Sequence, residues 1–539
     1  MRNRNYPLYE VEAVHSLKEL IDRTADLYKD RPALTFERKK EMVSVSYSQF
    51  RSDIEALARG MFGDSSAGCT VAVIGENSYE WILTYFAVVN SGNVILPLDK
   101  ELTDAEIKNL LDDSCTEALV YSNDYSDVAK YVGEYGAGVQ RYISTDRLWE
   151  LIDQGAALIR DSGQAAAVEH ETDYNAPAVL LYTSGTTGRP KGVMLSHFNL
   201  ASDAAASCRH VGIFGNNMLV LPLHHSFGFV AGVCAMLLKG SEICISSSLK
   251  RTVSDLTKFK PANMFLVPLF VETFYKKIWE TAKKQGKDKL LRRMIGLGKI
   301  LLKAGIDVRR LLFKPVLSAL GGNLKLIVSG GAPLDVKYVE GFRDIGINIL
   351  NGYGITECSP IVSVNRNRYY RDGSVGQVLP CCEVRIADPD ENGHGEINVR
   401  GDPVMLGYYN NEQATRDAFD GEWFITGDIG YLDRDGFLFV SGRKKNLIIL
   451  NNGKNVYPEE IESELLRIGY IKETVVYAQD NTIVAEVFLD TENAPDCQAR
   501  LDHDIIKLNK TLPPFKNIGK TLIRDVEFPK TTTKKIKRT

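Results

Sequence analysis

Short apolar runs recur along the first two thirds of the chain, and each ends in a loop rich in Gly, Ser, Thr or His. Four junctions are clear: residues 178–182 before SGTTGRPKG, 218–221 before PLHHSFG, 324–328 before SGGAP, and 347–350 before NGYGITE. Continuous apolar runs of this length are typical of strands that are buried on both faces, as in parallel sheets. The pattern predicts an α/β fold whose large N-terminal domain contains mostly parallel sheets.

A helix is predicted between the last two of these strands. Pro333 suits a first helical position, and the amphipathic stretch that follows runs to Asp344 and ends at Gly346. A strand–helix–strand crossover makes the two strands parallel, so the SGG and NGYG loops should emerge at one edge of the sheet. Open α/β folds bind ligands at such an edge, and we therefore expect a site built from these loops.

The pattern changes at about Val384 to short alternating strands with tight turns, including Asp435-Gly436 between GYL and FLFV. This indicates a β-rich subdomain. After Arg443 the sequence predicts a hairpin in NLIILNNGKNVY, a helix opened by Pro458, and strands in TVVYA and TIVAEVFL. We expect an N-terminal domain over residues 1–444 and a small α+β C-terminal domain over residues 445–539.

Composition narrows the possible functions. The 539 residues are 44% hydrophobic and 25% charged, which is ordinary for a globular protein and too long for one core. The net charge of -4 gives no electrostatic reason to bind nucleic acid, so no such partner is expected.

Cysteine usage and the apolar runs bear on the compartment. The nine cysteines include no C-x-x-C pair, which favours reduced thiols in the cytoplasm. The start, MRNRNYPLYE, has no apolar stretch of signal-peptide length. The longest apolar run, residues 227–238, is about half of a bilayer-spanning helix and is better explained as a buried core helix. These features predict a soluble, cytoplasmic protein.

The strongest chemical signal is YTSGTTGRPKG, residues 182–192. Its small residues allow successive backbone N–H groups to converge, its hydroxyls add donors, and Lys191 adds positive charge, which together suit a polyphosphate. It differs from the G-x-x-x-x-G-K-[ST] loop because the lysine lies three residues after Gly188. The alternative is a flexible Gly/Thr turn.

This stretch resembles the signature loop of the AMP-forming acyl-CoA synthetases, a branch of the adenylate-forming superfamily. Further motifs of that family follow in the expected order: LPLHHSFG, SGGAPL, NGYGITE, TGD, GRKKNLI and TTTKKIKR. The resemblance covers nearly the whole chain. It implies ATP-dependent ligation of a carboxylic acid to coenzyme A through an acyl-AMP intermediate, with Mg²⁺ as cofactor. The insertion before SGGAPL and the TTTKKIKR ending are most similar to the long-chain fatty acid branch.

The resemblance also implies a set of nucleotide-binding residues, in which Tyr353 stacks on the adenine, and Asp428 and Arg443 reach the ribose. Taken alone, Tyr353 is more typical of core or turn filling. The full set is Thr183, Ser184, Gly185, Thr186, Thr187, Gly188, Lys191, Gly330, Gly331, Ala332, Asn351, Gly352, Tyr353, Gly354, Asp428 and Arg443.

Catalytic roles follow from the same resemblance. Thr356 and Glu357 are expected to face the α-phosphate, and Glu357 with Thr183 to hold Mg²⁺, a cation that prefers oxygen ligands. Lys535 is expected to neutralise charge as the acyl carboxylate attacks phosphorus. Many relatives have Ser-Gly before this lysine, whereas this chain has Thr533 and Lys534, so mutation must separate Lys535 from Lys534 and Lys537. A solvated basic tail is the alternative.

The remaining assignments concern the hinge and the acyl group. Lys445 matches the hinge position of the superfamily, which implies a mobile C-terminal domain that rotates about this residue. An exposed lysine in a basic linker is the alternative. His225 is expected to line the acyl entrance, and His224 could share that position. Phe227 is predicted as an acyl-tunnel wall, with a core position as the alternative.

Residues 276–314 hold thirteen Lys/Arg against three Asp/Glu, interleaved with Leu, Ile and Met. Such a segment can lie on an anionic membrane surface, which makes peripheral membrane contact a hypothesis. A solvated basic helix pair that packs on the protein explains the composition equally well.

Two other functions stay open. The acyl acceptor could be the phosphopantetheine thiol of a carrier protein, because that arm and coenzyme A end in the same group. A nucleotide-binding regulator without catalysis would keep the fold but not the chemistry, and the joint presence of Glu357, Asp428, Arg443 and Lys535 argues against it. Acid chain length and oligomeric state cannot be deduced from the sequence.

Overall fold

The computed structural model describes residues 5–63, 68–136, 138–162, 173–183, 190–246, 248, 251–451, 454–480, 482–530 and 536–538. The chain divides into two compact units: unit 1 is Met1–Glu383 with Val399–Phe424, and unit 2 is Val384–Asn398 with Ile425–Thr539. The boundary expected between residues 444 and 445 lies inside unit 2. It stays a prediction, because a division into compact units does not locate a hinge.

The strands of the described residues follow in chain order. They are β1 (Pro32–Arg38), β2 (Glu41–Ser46), β3 (Thr70–Ile74), β4 (Val94–Pro97), β5 (Ala118–Tyr121), β6 (Arg141–Ser144), β7 (Pro177–Thr183), β8 (Lys191–Ser196), β9 (Asn217–Leu219), β10 (Ile243–Ile245), β11 (Asn263–Leu266), β12 (Leu326–Ser329), β13 (Asn348–Gly354), β14 (Ile361–Val364), β15 (Gln377–Val378), β16 (Cys382–Ala387), β17 (Gly395–Gly401), β18 (Gly407–Tyr408), β19 (Phe419–Asp420), β20 (Trp423–Leu432), β21 (Leu438–Arg443), β22 (Ile448–Ile449), β23 (Asn455–Val456), β24 (Ile471–Gln479), β25 (Thr482–Leu489) and β26 (Ile518–Arg524).

The α-helices of the same residues are α1 (Leu17–Tyr28), α2 (Tyr47–Phe62), α3 (Tyr79–Asn90), α4 (Asp104–Asp113), α5 (Ser126–Tyr135), α6 (Leu148–Ser162), α7 (His197–His210), α8 (Ser226–Phe229), α9 (Ala235–Leu238), α10 (Thr252–Phe259), α11 (Pro268–Lys284), α12 (Asp288–Lys303), α13 (Arg309–Leu312), α14 (Lys314–Ala319), α15 (Val336–Asp344), α16 (Glu412–Asp417), α17 (Pro458–Leu465) and α18 (Cys497–Asn509).

Two sheets organise unit 1. One has the strand order β15-β14-β13-β12-β11-β9-β10-β1-β2, and the other has the order β18-β8-β7-β4-β3-β5-β6. Pairing is parallel from β1 through β10, β9, β11 and β12 to β13, and also among β7, β4, β3, β5 and β6. The antiparallel strands lie at the edges, which confirms the predicted α/β fold with mostly parallel sheets.

The strand–helix–strand unit is present, and its two strands are parallel as predicted. Val339 and Phe342 of α15 belong to one buried cluster with Ile327 and Ile349 of the strands. The helix begins at Val336 rather than at Pro333, because the Asp335 side chain accepts a hydrogen bond from the Lys337 N–H (2.9 Å) and caps it there.

The NGYG residues were expected in a loop after the strand, and this expectation was wrong. They belong to β13, whose second half pairs antiparallel with β14 (Gly352 opposite Val364). The hairpin partner extends the strand beyond its apolar run, and periodicity along one segment cannot reveal such a partner.

The apolar run at 227–238 is a buried core helix, as predicted. It comprises α8, a π-helical turn at Val230–Cys234, and α9, and nearly all of its residues are buried. No helix among the described residues is both long enough and apolar enough to cross a bilayer.

Unit 2 contains the predicted turn, hairpin and helix. β20 and β21 pair around Gly436, which has φ +78° and donates to the Asp433 carbonyl (3.0 Å). β22 pairs antiparallel with β23, and Pro458 opens α17. β24, β25 and β26 form a sheet whose buried residues cluster with Ile461 of α17 and Leu501 of α18.

Candidate active site

The glycine-rich ends of β12 and β13 lie side by side. Ser329 and Asn351 are opposite each other in the parallel ladder, so the SGG and NGYG motifs meet at one edge of the sheet as expected. Gly330 is buried and donates its N–H to the Leu266 carbonyl (3.2 Å), whereas Gly331, with φ +83°, and Ala332 are exposed. The chain thus turns away from the sheet just after Gly330.

Gly330 leaves a space beside an aromatic ring. A methyl group on it would lie 3.4 Å from the Phe227 ring and 3.7 Å from the Gly352 carbonyl oxygen. The structure therefore brings Phe227, predicted for the acyl group, next to glycines predicted for the purine. The Phe227 ring also packs edge-on against Phe265 (centroids 6.2 Å apart).

Two buried polar atoms at this edge have no hydrogen-bond partner among the described residues: Ser329 Oγ and Asn351 Oδ1. Buried polar atoms are normally paired, so such a pair of orphans marks a place where a ligand would supply the partner. An amide oxygen accepts from an amino group, and a hydroxyl donates or accepts. Both atoms are therefore candidates for the predicted contact with a purine.

Close packing and hydrogen bonds hold the turn after β13 in place. Gly354 must be glycine, because a Cβ there would lie 1.9 Å from the Pro360 carbonyl oxygen. The Ile355 N–H donates to that same oxygen (2.9 Å), and the Ile361 N–H donates to Asp203 Oδ2 (3.1 Å). Burial raises the pKa of Asp203. Asp203 on α7 thus holds the start of β14, which follows the turn that carries Thr356 and Glu357, and sequence reasoning had missed it.

Glu357 lies in the short 3₁₀ turn Thr356–Cys358. Its Oε1 accepts a hydrogen bond from the Tyr408 hydroxyl (3.0 Å), and its backbone carbonyl accepts from the Met405 N–H (2.8 Å). Both contacts come from the segment around β18. A carboxylate on a partly exposed turn is therefore held in place from two sides.

Tyr408 also connects Glu357 to β8, one of the two strands on either side of the predicted phosphate loop. Lys191 Nζ lies 4.8 Å from the centroid of the Tyr408 ring, a cation–π arrangement. Lys191 begins β8, where it is paired across the ladder with Thr183 of β7, while Tyr408 pairs with Val193. Lys191 and Glu357 thus both contact Tyr408, which sequence reasoning did not identify, and Thr183 lies across the ladder from Lys191. Ser184, Gly185, Thr186, Thr187 and Gly188 lie outside the described residues.

The PLHHSFG loop is fixed by Asn77, another residue that the sequence did not reveal. The Asn77 side chain donates to the Leu221 carbonyl (2.8 Å) and accepts from the Leu223 N–H (3.2 Å). Burial, with His225 close by, lowers the pKa of His224 below its ordinary value, which favours the neutral ring. Its Nε2 lies 3.4 Å from Asp99 Oδ1 without hydrogen-bond geometry. The two histidine rings are 4.2 Å apart, so either could line an entrance there.

The residues predicted for the ribose form a pair within unit 2. Asp428 is buried and lies opposite Arg443 in the β20–β21 ladder, with Arg443 Nε 2.9 Å from Asp428 Oδ1. The same guanidinium donates to the Thr426 carbonyl (3.1 Å). Lys445 is exposed in the 3₁₀ turn that follows.

Lys535 lies outside the described residues, which end at Lys530 before it and resume at Ile536. Lys530 and Ile536 form an isolated β-bridge, and the Lys537 N–H donates to the Pro529 carbonyl (2.8 Å). Arg538 donates to Glu462 Oε2 (2.5 Å) and to the Val476 carbonyl (3.1 Å). Both flanks are therefore fixed to unit 2.

Known proteins resemble this chain over most of its length. The profile of the AMP-binding enzyme family matches residues 21–409. The long-chain-fatty-acid–CoA ligase FadD15 of Mycobacterium bovis is 31% identical, over 92% of this chain and 90% of that protein.

Two solved structures share the fold. The anthranilate CoA ligase AuaEII in complex with anthranoyl-AMP superposes with a TM-score of 0.78 at 19% identity, covering 99% of this chain and 97% of that one. The o-succinylbenzoate coenzyme A synthetase of Bacillus subtilis, in complex with ATP and magnesium ion, has a TM-score of 0.72 at 25% identity, covering 96% and 98%.

Proposed function

Because the chain belongs to the AMP-binding enzyme family, we propose that it activates a long-chain fatty acid with ATP and transfers the acyl group to coenzyme A. The overall reaction is that of an AMP-forming acid–thiol ligase. The names of relatives about 30% identical support the fatty acid and the CoA thiol as substrates.

One observation carries the proposal: the Tyr408 hydroxyl holds the Glu357 carboxylate while its ring faces the Lys191 ammonium. One tyrosine side chain thus contacts both a carboxylate and an ammonium group, and Lys191 begins β8, directly after the glycine-rich loop. A nucleoside triphosphate needs both, because its phosphates bind cations and a carboxylate completes the shell of a phosphate-bound metal ion.

In the proposed first half-reaction, the fatty carboxylate oxygen attacks the α-phosphorus of ATP. An O–P bond forms, the bond to the β-phosphate oxygen breaks, and pyrophosphate leaves. Lys191 and Lys535 would offset the charge that develops on phosphorus, and Thr356 would orient the α-phosphate. The purine would lie between Gly330, Gly331, Ala332 and Tyr353, with Asn351 at its polar edge.

Glu357 and Thr183 would hold Mg²⁺, which neutralises phosphate charge when bound. Within the described ranges, no group of three or more His, Cys, Asp or Glu side chains is arranged to hold a metal ion. One carboxylate and one hydroxyl nevertheless fit Mg²⁺, because this ion usually takes few protein ligands beside phosphate oxygens and waters.

In the proposed second half-reaction, the CoA thiol attacks the acyl carbonyl of the mixed anhydride. A C–S bond forms, the thiol gives up its proton to water, the bond between the carbonyl carbon and the AMP oxygen breaks, and AMP leaves. Asp428 and Arg443 would bind the ribose hydroxyls, and the segment after Lys445 would rotate between the two steps. His225 and Phe227 would line the path of the acyl chain.

The substrate is tested by measuring AMP release with acids from acetate to stearate, together with benzoate and cinnamate. We expect the highest kcat/KM with long-chain acids and with CoA rather than a holo-carrier protein as acceptor. Activity confined to short or aryl acids would overturn the fatty acid assignment. Absence of acid-dependent pyrophosphate release would favour the non-catalytic regulator.

The role of Lys535 is tested by separating the half-reactions. Lys535→Ala should lower adenylate formation by about 10²-fold or more and leave thioester formation from preformed acyl-AMP largely intact. Lys534→Ala and Lys537→Ala are matched controls and should keep both steps. Equal loss of both steps in Lys535→Ala would show that the assigned role is wrong.

A further inference from the structure

The outer face of α12 carries exposed aliphatic side chains. Leu290, Leu297 and Ile300 are 53%, 46% and 67% exposed. With Arg293 they occupy positions i, i+3, i+7 and i+10, which follow one line along a helix. Isolated exposed leucines are ordinary, but an aligned set marks an interaction surface.

This face is additional to the one that holds the helix in place. Leu291 of α12 belongs to the buried cluster beneath it, and Met294 and Ile295 pack against that cluster. Gly298 is also buried. The expected packing of a basic helix on the protein is therefore present, yet it uses other residues and leaves Leu290, Leu297 and Ile300 outside.

Positive charge surrounds the aliphatic line. Lys289, Arg293 and Lys303 on α12 are exposed, as are Lys283 and Lys284 at the end of α11. Two further aliphatic residues just beyond the helix, Ile306 and Leu311, are 54% and 75% exposed. The segment 276–314 carries thirteen basic residues against three acidic ones, so the surface is strongly cationic.

We propose that this surface, called here the α12 face and formed by Leu290, Arg293, Leu297 and Ile300 with the lysines beside them, binds the surface of an anionic phospholipid bilayer. Aliphatic side chains would enter the headgroup–acyl boundary while the lysines and arginine pair with lipid phosphates. A charged protein partner would satisfy the cations but would not need the five exposed aliphatic side chains among them. The inference concerns binding alone and does not depend on the ligase reaction.

The test is co-sedimentation of the full chain with vesicles of phosphatidylcholine alone or with about a quarter phosphatidylglycerol. We expect binding to the anionic vesicles only, weakened by salt because the attraction is electrostatic. The double variant Lys289→Glu/Arg293→Glu should bind about tenfold or more weakly, since each basic residue near an anionic surface contributes to attraction. The variant Leu290→Gln/Leu297→Gln should also bind roughly tenfold more weakly because it removes apolar burial.

Matched controls come from exposed positions on α18 and its cap. Lys507→Glu/Lys510→Glu makes the same change in net charge, and Ile506→Gln removes an aliphatic side chain that is 58% exposed. Both should bind like the unaltered protein. Absence of binding to anionic vesicles, equal binding to both vesicle types, or equal loss in the controls would overturn the proposal. Self-association through Leu290 and Leu297 without vesicle binding would also overturn it.

Discussion

At the scale of single residues, Tyr408 is a permanent hydrogen-bond donor to Glu357. Burial, together with the Glu357 carboxylate beside it, raises the pKa of Tyr408 above its ordinary value. The phenol therefore keeps its proton throughout the physiological pH range. Its contribution to the site is position: one end holds a carboxylate and the ring faces a cation.

Tyr408→Phe should separate these two contributions. The variant keeps the ring beside Lys191 but loses the hydrogen bond to Glu357, and hydrogen bonds to charged groups contribute about 1.5–3 kcal/mol. We expect acid-dependent ATP–pyrophosphate exchange to fall roughly tenfold or more. Tyr135→Phe, at an exposed tyrosine of α5, is the control. An unchanged exchange rate in Tyr408→Phe would remove the positioning role.

Two glycines of the site should respond differently to alanine. A methyl group on Gly330 would make only ordinary contacts at 3.4 Å or more, so Gly330→Ala should fold normally but fill the space beside Phe227 and raise the KM for ATP. A methyl group on Gly354 would lie 1.9 Å from the Pro360 carbonyl oxygen, so Gly354→Ala should lower stability by about 1–3 kcal/mol. Thermal unfolding and the KM for ATP measure the two effects. Gly330→Ala with an unchanged KM would contradict the purine assignment.

At the scale of elements, the end of the chain is attached to α17 and β24. Glu462 of α17 accepts a hydrogen bond from the Val476 N–H (2.6 Å) and pairs with Arg538. Lys530 pairs with Glu473 of β24. These contacts fix residues on both sides of the predicted catalytic Lys535, and the mostly buried Glu462 carboxylate is the group among them whose protonation changes near neutral pH.

Burial raises the pKa of Glu462 from 4.5 to about 7, although Arg538 lowers it. The folded chain then holds this proton at pH values where the unfolded chain has lost it, so the free energy of unfolding should fall as pH rises from about 4.5 to about 7. Glu462→Gln keeps an acceptor for Val476 and should flatten this fall. Arg538→Ala should extend the fall to higher pH, because removing this positive charge raises the pKa of Glu462 in the folded chain further.

Thermal unfolding between pH 5 and pH 8 measures the effect of Glu462 as a difference between variant and unaltered protein. The control is Glu464→Gln, since Glu464 forms a surface pair with Arg467 (2.6 Å) and such pairs contribute little. If the difference in unfolding temperature between Glu462→Gln and the unaltered protein is the same at every pH, the buried carboxyl is not the titrating group.

At the scale of the whole molecule, the sequence predicted the features that depend on residues close together in the chain. The buried strands, the parallel crossover, the Asp435-Gly436 turn and the helix at Pro458 follow from local periodicity and turn chemistry, and all are present. Tyr408, Asn77 and Asp203 could not be predicted, because their partners Glu357, Leu221 and Ile361 lie 51, 144 and 158 residues away. Residue type alone does not identify a partner at such separations.

The proposed rotation of the C-terminal segment requires a backbone change at Lys445 rather than a particular side chain. Lys445 is exposed and lies in the 3₁₀ turn between Arg443 and Leu447. Proline fixes φ near −65° and restricts the preceding residue, so Lys445→Pro should hold one backbone conformation.

Lys445→Pro should therefore keep adenylate formation and lower thioester formation from acyl-AMP by at least about tenfold, because only the second step would need the new conformation. Lys445→Ala is the matched control and should keep both steps, since it removes the ammonium group but leaves φ free. Single-turnover measurements of acyl-AMP and acyl-CoA formation separate the two steps. Equal loss of both steps in Lys445→Pro would place the hinge elsewhere. A selective loss of the second step in Lys445→Ala would assign the effect to the charge of the side chain and not to the backbone.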